Sequence, residues 1–148
     1  MVLFSGSIID YPMKKMNTIY GALALLFTAA ILISFTALDD PKPWDVSGKY
    51  KSMDNPEDAN AESVKLGKML FQKNCASWHG KTGLGDGVKA RGLDTSPGDF
   101  SGEYFQKQAD GEHFYKIKFG RDEMPKYDGK IVDEDIWHMV NYMRTFKK

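Results

Sequence analysis

The first pattern along the chain is an unbroken apolar run. Ile19 to Leu38 contains no charged residue, and about 20 such residues suffice for a helix to cross the hydrocarbon core of a bilayer. Lys14 and Lys15 precede the run; Asp39 and Asp40 follow it. Basic flanks stay in the cytoplasm, which puts the rest of the chain outside. The run predicts an uncleaved anchor at 19–38 behind a cytoplasmic segment, 1–18. A cleaved signal peptide is the alternative, although Phe35 two positions before Ala37 makes a poor small-residue cleavage signature. Met13 or Met16 is the more ordinary start for an export sequence.

Beyond the run the pattern changes. Residues 39–58 carry Pro41, Pro43, Gly48 and Pro56 and read as a linker. A domain follows over 59–148. Residues 60–74 predict a helix capped by Asn60 or Asp58, with Val64, Gly67, Met69, Leu70 and Phe71 at its apolar and close-packing positions. Gly67 costs about 1 kcal/mol against Ala inside a helix, so it marks a place where another element comes close. Residues 80–98 are glycine-rich loop. Residues 100–119 predict one or two short helices broken near Asp110-Gly111 and stopped at Gly120. Residues 132–146 predict a second clear helix capped by Asp133, with Ile136, Met139, Val140 and Met143 as its core face. No stretch alternates as a strand does, and nothing repeats.

Composition narrows the choice little. The chain has 20 basic and 20 acidic residues, and no basic run interleaved with aromatics points to nucleic acid. A single cysteine excludes an internal disulfide. A domain this small builds only a modest core from its own side chains, so a large buried apolar cofactor would add much to it.

The candidate chemistry lies at Asn74-Cys75-Ala76-Ser77-Trp78-His79-Gly80. This is one residue short of C-x-x-C-H, the attachment signal for a covalent haem, because Trp78 stands at the second thiol position. Residues three and four apart share a helical face, so groups at 75, 78 and 79 can meet one flat ring. The bland alternative is a buried cysteine at a helix end beside an exposed histidine. The glycines at 80, 83, 85, 87 and 92 do not form a phosphate cradle, since no G-K-[ST] follows them and no strand precedes them.

Taken together these segments resemble the class I monohaem c-type cytochromes, the small respiratory kind of bacteria, over residues 62–146. Gly67-Lys68-Met69-Leu70-Phe71-Gln72-Lys73-Asn74-Cys75 looks like that family's first helix entering the haem site. His79-Gly80-Lys81-Thr82-Gly83-Leu84-Gly85-Asp86-Gly87 looks like its glycine-rich continuation. Gly120-Arg121-Asp122-Glu123-Met124-Pro125-Lys126-Tyr127 looks like its distal ligand loop, and Trp137-His138-Met139-Val140-Asn141-Tyr142-Met143-Arg144 like its last helix.

The resemblance implies an all-α, cytochrome c-like fold in which the N- and C-terminal helices cross, with Gly67 and Phe71 against Tyr142. It implies haem c held through Cys75, with His79 as proximal and Met124 as distal iron ligand, and a backbone carbonyl near Pro97 fixing the imidazole. His113 and His138 are expected at the surface. Trp78 departs from the pattern and leaves three states open: one thioether at Cys75, axial ligation alone, or no haem. The implied function is single-electron transfer in a bacterial respiratory chain, by a carrier or a subunit of an oxidoreductase complex rather than by an enzyme in its own right. Its partners would be a donor complex and a terminal oxidase or reductase. The expected location is the inner membrane with the domain in the periplasm, or the soluble periplasm if the signal is cleaved. The alternative function is a haem-free accessory or interaction domain of a membrane complex. A peroxidase would need an open sixth iron site, which Met124 opposes, and a Cys75–His79 nucleophile lacks a third group to orient the base.

Overall fold

The computed structural model describes residues 43–148; the apolar run 19–38 and its flanks lie outside them. The described elements are α1 (Gly48–Lys51), α2 (Ala61–Asn74), α3 (Ala76–His79), a 3₁₀ turn (Ala90–Gly92), α4 (Glu103–Gln106), α5 (Asp110–Phe119) and α6 (Asp133–Arg144). No strand occurs among the described residues, only an isolated bridge between Arg121 and Met124. The architecture is all-α, with the first long helix crossing the last.

Local chemistry sets the helix limits. Asn60 caps α2, its side chain accepting from the backbone N–H groups of Glu62 at 3.0 Å and Ser63 at 2.9 Å. Glu112 reaches back to accept from the Ala109 N–H at 2.8 Å and so starts α5, while Gly120, at φ 62°, ends it. The cap of α6 is Val132, not Asp133. The Asp133 carboxylate instead accepts from Lys118 Nζ at 2.7 and 2.8 Å. Three acidic residues in the first turn of α6 and Arg144 in the last suit its dipole.

The core forms where α2 crosses α6. Phe71 of α2 and Ile136, Met139, Val140 and Met143 of α6 are buried, as the spacing of the last helix predicts. Met69 is not part of it: it stands 56% exposed on the far side of α2. A Cβ on Gly67 would lie 1.9 Å from the His138 carbonyl oxygen, so the backbones touch there. Phe71 rather than Gly67 meets Tyr142, with ring centroids 5.5 Å apart.

The stretch read as linker is packed over its described part. Val46 is buried, the Tyr50 ring lies 4.9 Å from Tyr115 and 6.3 Å from Phe114 of α5, and the Gly111 N–H donates to the Met53 carbonyl at 3.2 Å. The stretch also holds the short helix α1 (Gly48–Lys51), so this part is structured and packed onto α5.

Both histidines expected at the surface are buried. His138 is 8% exposed and His113 2% exposed. His138 is covered because Gly67 lets α2 close over it, bringing Ser63 Oγ to 2.8 Å from its Nδ1. His113 stacks on Phe105, with centroids 4.0 Å apart. Burial, followed by the charges of Arg144 and Lys116, lowers the His113 pKa to about 3 against a raising contribution from the Phe105 backbone. Between its ordinary value of 6.5 and about 3, the unfolded chain therefore binds a proton that the folded chain refuses. Stability from this residue is complete above pH 6.5 and is lost as pH falls toward 3. In denaturant titrations His113→Leu should flatten the acid slope by about 1.4 kcal/mol per pH unit below neutrality; equal slopes in parent and variant would refute the assignment.

Candidate functional site

Three of the predicted site residues stand on one turn. Cys75 closes α2 by donating its N–H to the Phe71 carbonyl at 2.8 Å, and its own carbonyl then accepts from the N–H groups of Trp78 and His79, each at 3.0 Å. The chain thus passes from α2 into α3 with Cys75, Trp78 and His79 in the register their spacing requires.

The glycine-rich loop clasps that turn. Gly85 donates to the His79 carbonyl at 2.9 Å, Gly87 to that of Trp78 at 3.2 Å, and Lys89 to that of Ser77 at 2.8 Å. A Cβ on Gly87 would lie 2.4 Å from the Ser77 oxygen, so only glycine lets the loop lie so close. Lys89 Nζ sits 4.6 Å from the centroid of the Trp78 ring, a cation–π contact that holds the indole at the edge of the site.

His79 packs against Phe100, with ring centroids 4.5 Å apart. Burial lowers its pKa to about 4, partly opposed by the backbone of Pro97. The imidazole is therefore neutral at pH 7 and keeps a lone pair for a metal. Its Nδ1 is buried without a hydrogen-bond partner, and the Pro97 backbone is the group that acts on the ring. Burial pushes the Cys75 thiol up to about 12. A protonated thiol beside a weakly basic imidazole is a poor nucleophilic pair.

Met124 arrives on a separate loop. Arg121 and Met124 exchange backbone hydrogen bonds of 2.9 and 2.8 Å around a tight turn in which Asp122 adopts φ 49°. Pro125 follows and biases Met124 away from helical backbone. The half-buried Met124 side chain packs against the core, as do Cys75 and Tyr127. Three ties fix this loop. Tyr127 Oη donates to the Asn74 carbonyl at 2.9 Å. The Glu123 carboxylate accepts from the N–H groups of Asp94 at 3.0 Å and Thr95 at 3.3 Å. Arg121 donates to the Pro43 carbonyl at 3.0 Å. Burial, then Cys75, raises the Tyr127 pKa to about 12, so its hydroxyl remains a donor.

Sequence reasoning assigns no role to Tyr127, Lys89 or Glu123, and only their place in the fold reveals what they do. A cleft of about 460 Å³ opens between residues 85–97, but neither Cys75, Trp78, His79 nor Met124 lines it. His113 and His138 lie outside the turn. A neutral imidazole with an orphaned buried nitrogen, a thiol in register with it and a half-buried thioether make a donor set that suits a haem. The indole at 78 supplies no second bond.

A family model described as "Cytochrome C oxidase, cbb3-type, subunit III" matches residues 62–143. Among solved structures, the "KustC0563 c-type cytochrome" is similar at 27% identity and a TM-score of 0.50, covering 55% of this chain and 98% of that one. No curated protein matches.

Proposed function

The chain belongs to the family of cytochrome c oxidase, cbb3-type, subunit III, and from that membership we propose that it relays single electrons in a bacterial respiratory chain through a haem axially ligated by His79 and Met124 and attached at Cys75. A c-type cytochrome domain carries covalently bound haem c with its iron and serves as a carrier, not as an enzyme. The observation that carries the finer reading is the turn on which Cys75 and the neutral, half-buried His79 stand in register.

When bound, the haem supplies a reversible one-electron couple. The residues of the chain do the rest. His79 offers a nitrogen lone pair, and Pro97 is the backbone group positioned to orient its ring. Met124 offers a thioether, which raises the potential relative to a second imidazole. Tyr127, bonded to Asn74, keeps the distal loop against the turn that carries Cys75. Phe71 and Phe100 pack around His79 and keep water from it. The proposed partners are a donor complex and a terminal oxidase or reductase. The proposed location, an inner-membrane anchor at 19–38 with the domain in the periplasm, rests on the sequence alone. Among the described residues no helix is long and apolar enough to cross a membrane.

Carbonate-washed membranes from expressing cells should retain the full-length chain with a Soret band and sharp reduced α and β bands. A soluble product starting near Asp39 would overturn the anchor. A colourless folded protein would overturn the carrier and favour the haem-free accessory domain, in which Trp78 under Lys89 only closes the turn. Met124→Ala should open the sixth iron position, so that ferrous protein binds carbon monoxide readily. Its potential should fall within the roughly 0.8 V span that axial ligation controls. Unchanged carbon monoxide affinity and potential would remove Met124 from the ligand set.

A further inference from the structure

Away from that turn, a second group of potential ligands converges where the lead-in meets α6. Glu57, Glu134 and His138 each offer one ligand atom, and the three atoms lie within 4.8 Å of one another. We propose that they form a binding site for a divalent transition-metal cation of the zinc class.

Two of the three lie four residues apart on α6, a spacing that stacks side chains on one helical face. His138 Nε2 lies 3.9 Å from Glu134 Oε1, too far for a hydrogen bond, so a nearly buried imidazole stands close to a carboxylate without bonding it. The third ligand comes from the lead-in, and its backbone is pinned to α6. Asn141 Nδ2 donates to the Glu57 carbonyl at 3.0 Å. The Glu57 N–H donates to Asn55 Oδ1 at 2.9 Å, and Asn55 Nδ2 donates to Asn141 Oδ1 at 2.9 Å and to the Trp137 carbonyl at 3.3 Å.

The same asparagine supports the imidazole. Asn141 Nδ2 donates to Ser63 Oγ at 2.8 Å, and Ser63 Oγ lies 2.8 Å from His138 Nδ1. A hydroxyl oxygen has two acceptor lone pairs. Ser63 can therefore accept from Asn141 and from an Nδ1–H together, the tautomer that leaves the Nε2 lone pair free for a metal. Ligating histidines are held in this way by a hydrogen bond at the other ring nitrogen. One imidazole nitrogen and two carboxylate oxygens suit zinc, whose bonds to them run about 2.0–2.2 Å. Closing ligand atoms now up to 4.8 Å apart onto such an ion asks for movement of the Glu134 side chain, which is 70% exposed and free to swing. Water completes the coordination.

The test is a zinc titration of the purified full-length chain by calorimetry and thermal unfolding. The parent should bind one zinc ion per chain. Its Tm should rise by roughly 4–8 °C at free zinc about fivefold above the dissociation constant. Glu57→Gln/Glu134→Gln exchanges two side chains that make no hydrogen bond. Removing the Glu134 charge from the first turn of α6 forfeits a favourable interaction with the helix dipole, so the variant should melt slightly below the zinc-free parent and lose both responses to zinc. Absence of binding by the parent would overturn the proposal. So would binding that persists in the double variant, which would move the ion to Cys75 and His79 or to the surface.

Discussion

Gly67→Ala is expected to destabilise the domain by about 1–3 kcal/mol, the usual cost of overpacking, at a position where helix propensity alone predicts a gain of about 1 kcal/mol. Two effects of opposite sign compete, and geometry decides between them. The added methyl would sit 1.9 Å from the His138 carbonyl oxygen and 2.5 Å from its carbon. Both are backbone atoms of α6, so no side chain can rotate away. The helices must part, and the contacts of Phe71 with Tyr142 and Phe146 part with them. In a domain of this size each kcal/mol lowers Tm by about 4–8 °C. Gly48→Ala is the control. It too lies in a helix, but nothing stands within 4 Å of its added Cβ, so it should leave Tm unchanged or raise it. If both variants melt alike, the crossing does not depend on Gly67.

Trp78→Cys should produce the largest change in haem content. Cys75 stands one helical turn from position 78, so a second thiol there restores both attachment points of C-x-x-C-H. The parent offers one thiol, and a singly attached haem keeps one vinyl group in conjugation. The reduced α band of the parent in alkaline pyridine should therefore lie to the red of the variant's. Denaturing gels stained for haem should show a faint band for the parent, a strong one for Trp78→Cys and none for Cys75→Ala. Lys89 is exposed and Trp78 half-buried, so losing the indole costs its cation–π contact, about 0.5–1 kcal/mol, together with its partial burial. The melting temperature of Trp78→Cys should be measured alongside its haem content. Haem uptake by Trp78→Cys alone would make the parent a haem-free form of a carrier fold. Uptake by neither would count against the carrier function altogether.

Much of the scaffold was legible because its signals are local. Asn60 and Gly120 act as helix punctuation within a few residues of themselves, and the core face of α6 follows from spacing alone. Gly67 announced a close approach by being an uneconomical residue for a helix. Asp133 misled because a carboxylate near a helix start can cap it or pair with a distant lysine, and Lys118 is distant only in sequence. His113 and His138 misled for a related reason: polar residues read as exposed unless the elements that cover them are known. Phe105 and Ser63 come from other helices. At the candidate site the register of Cys75, Trp78 and His79 was visible, because it lies within one turn. The clasp of Gly85, Gly87 and Lys89 and the tie from the Tyr127 hydroxyl to the Asn74 carbonyl were not, because both end on backbone carbonyls, which any residue supplies and no residue type marks.

The crossing of α2 with α6 has a consequence for the order of events in folding. Everything from Cys75 to Val132 lies between those two helices, so the whole candidate site is a single loop whose ends meet only when α6 docks. Contacts far apart in sequence form slowly, since chain entropy must be lost before they are made. Of the described helices α6 is made after the others, so the site closes only once it has been synthesised. Until it docks, Cys75 is exposed with the acidity of an ordinary thiol; afterwards burial holds its proton, with a pKa of about 12. On the proposed attachment at Cys75, the thioether forms most readily in the interval before closure, and the docking of α6 ends that interval.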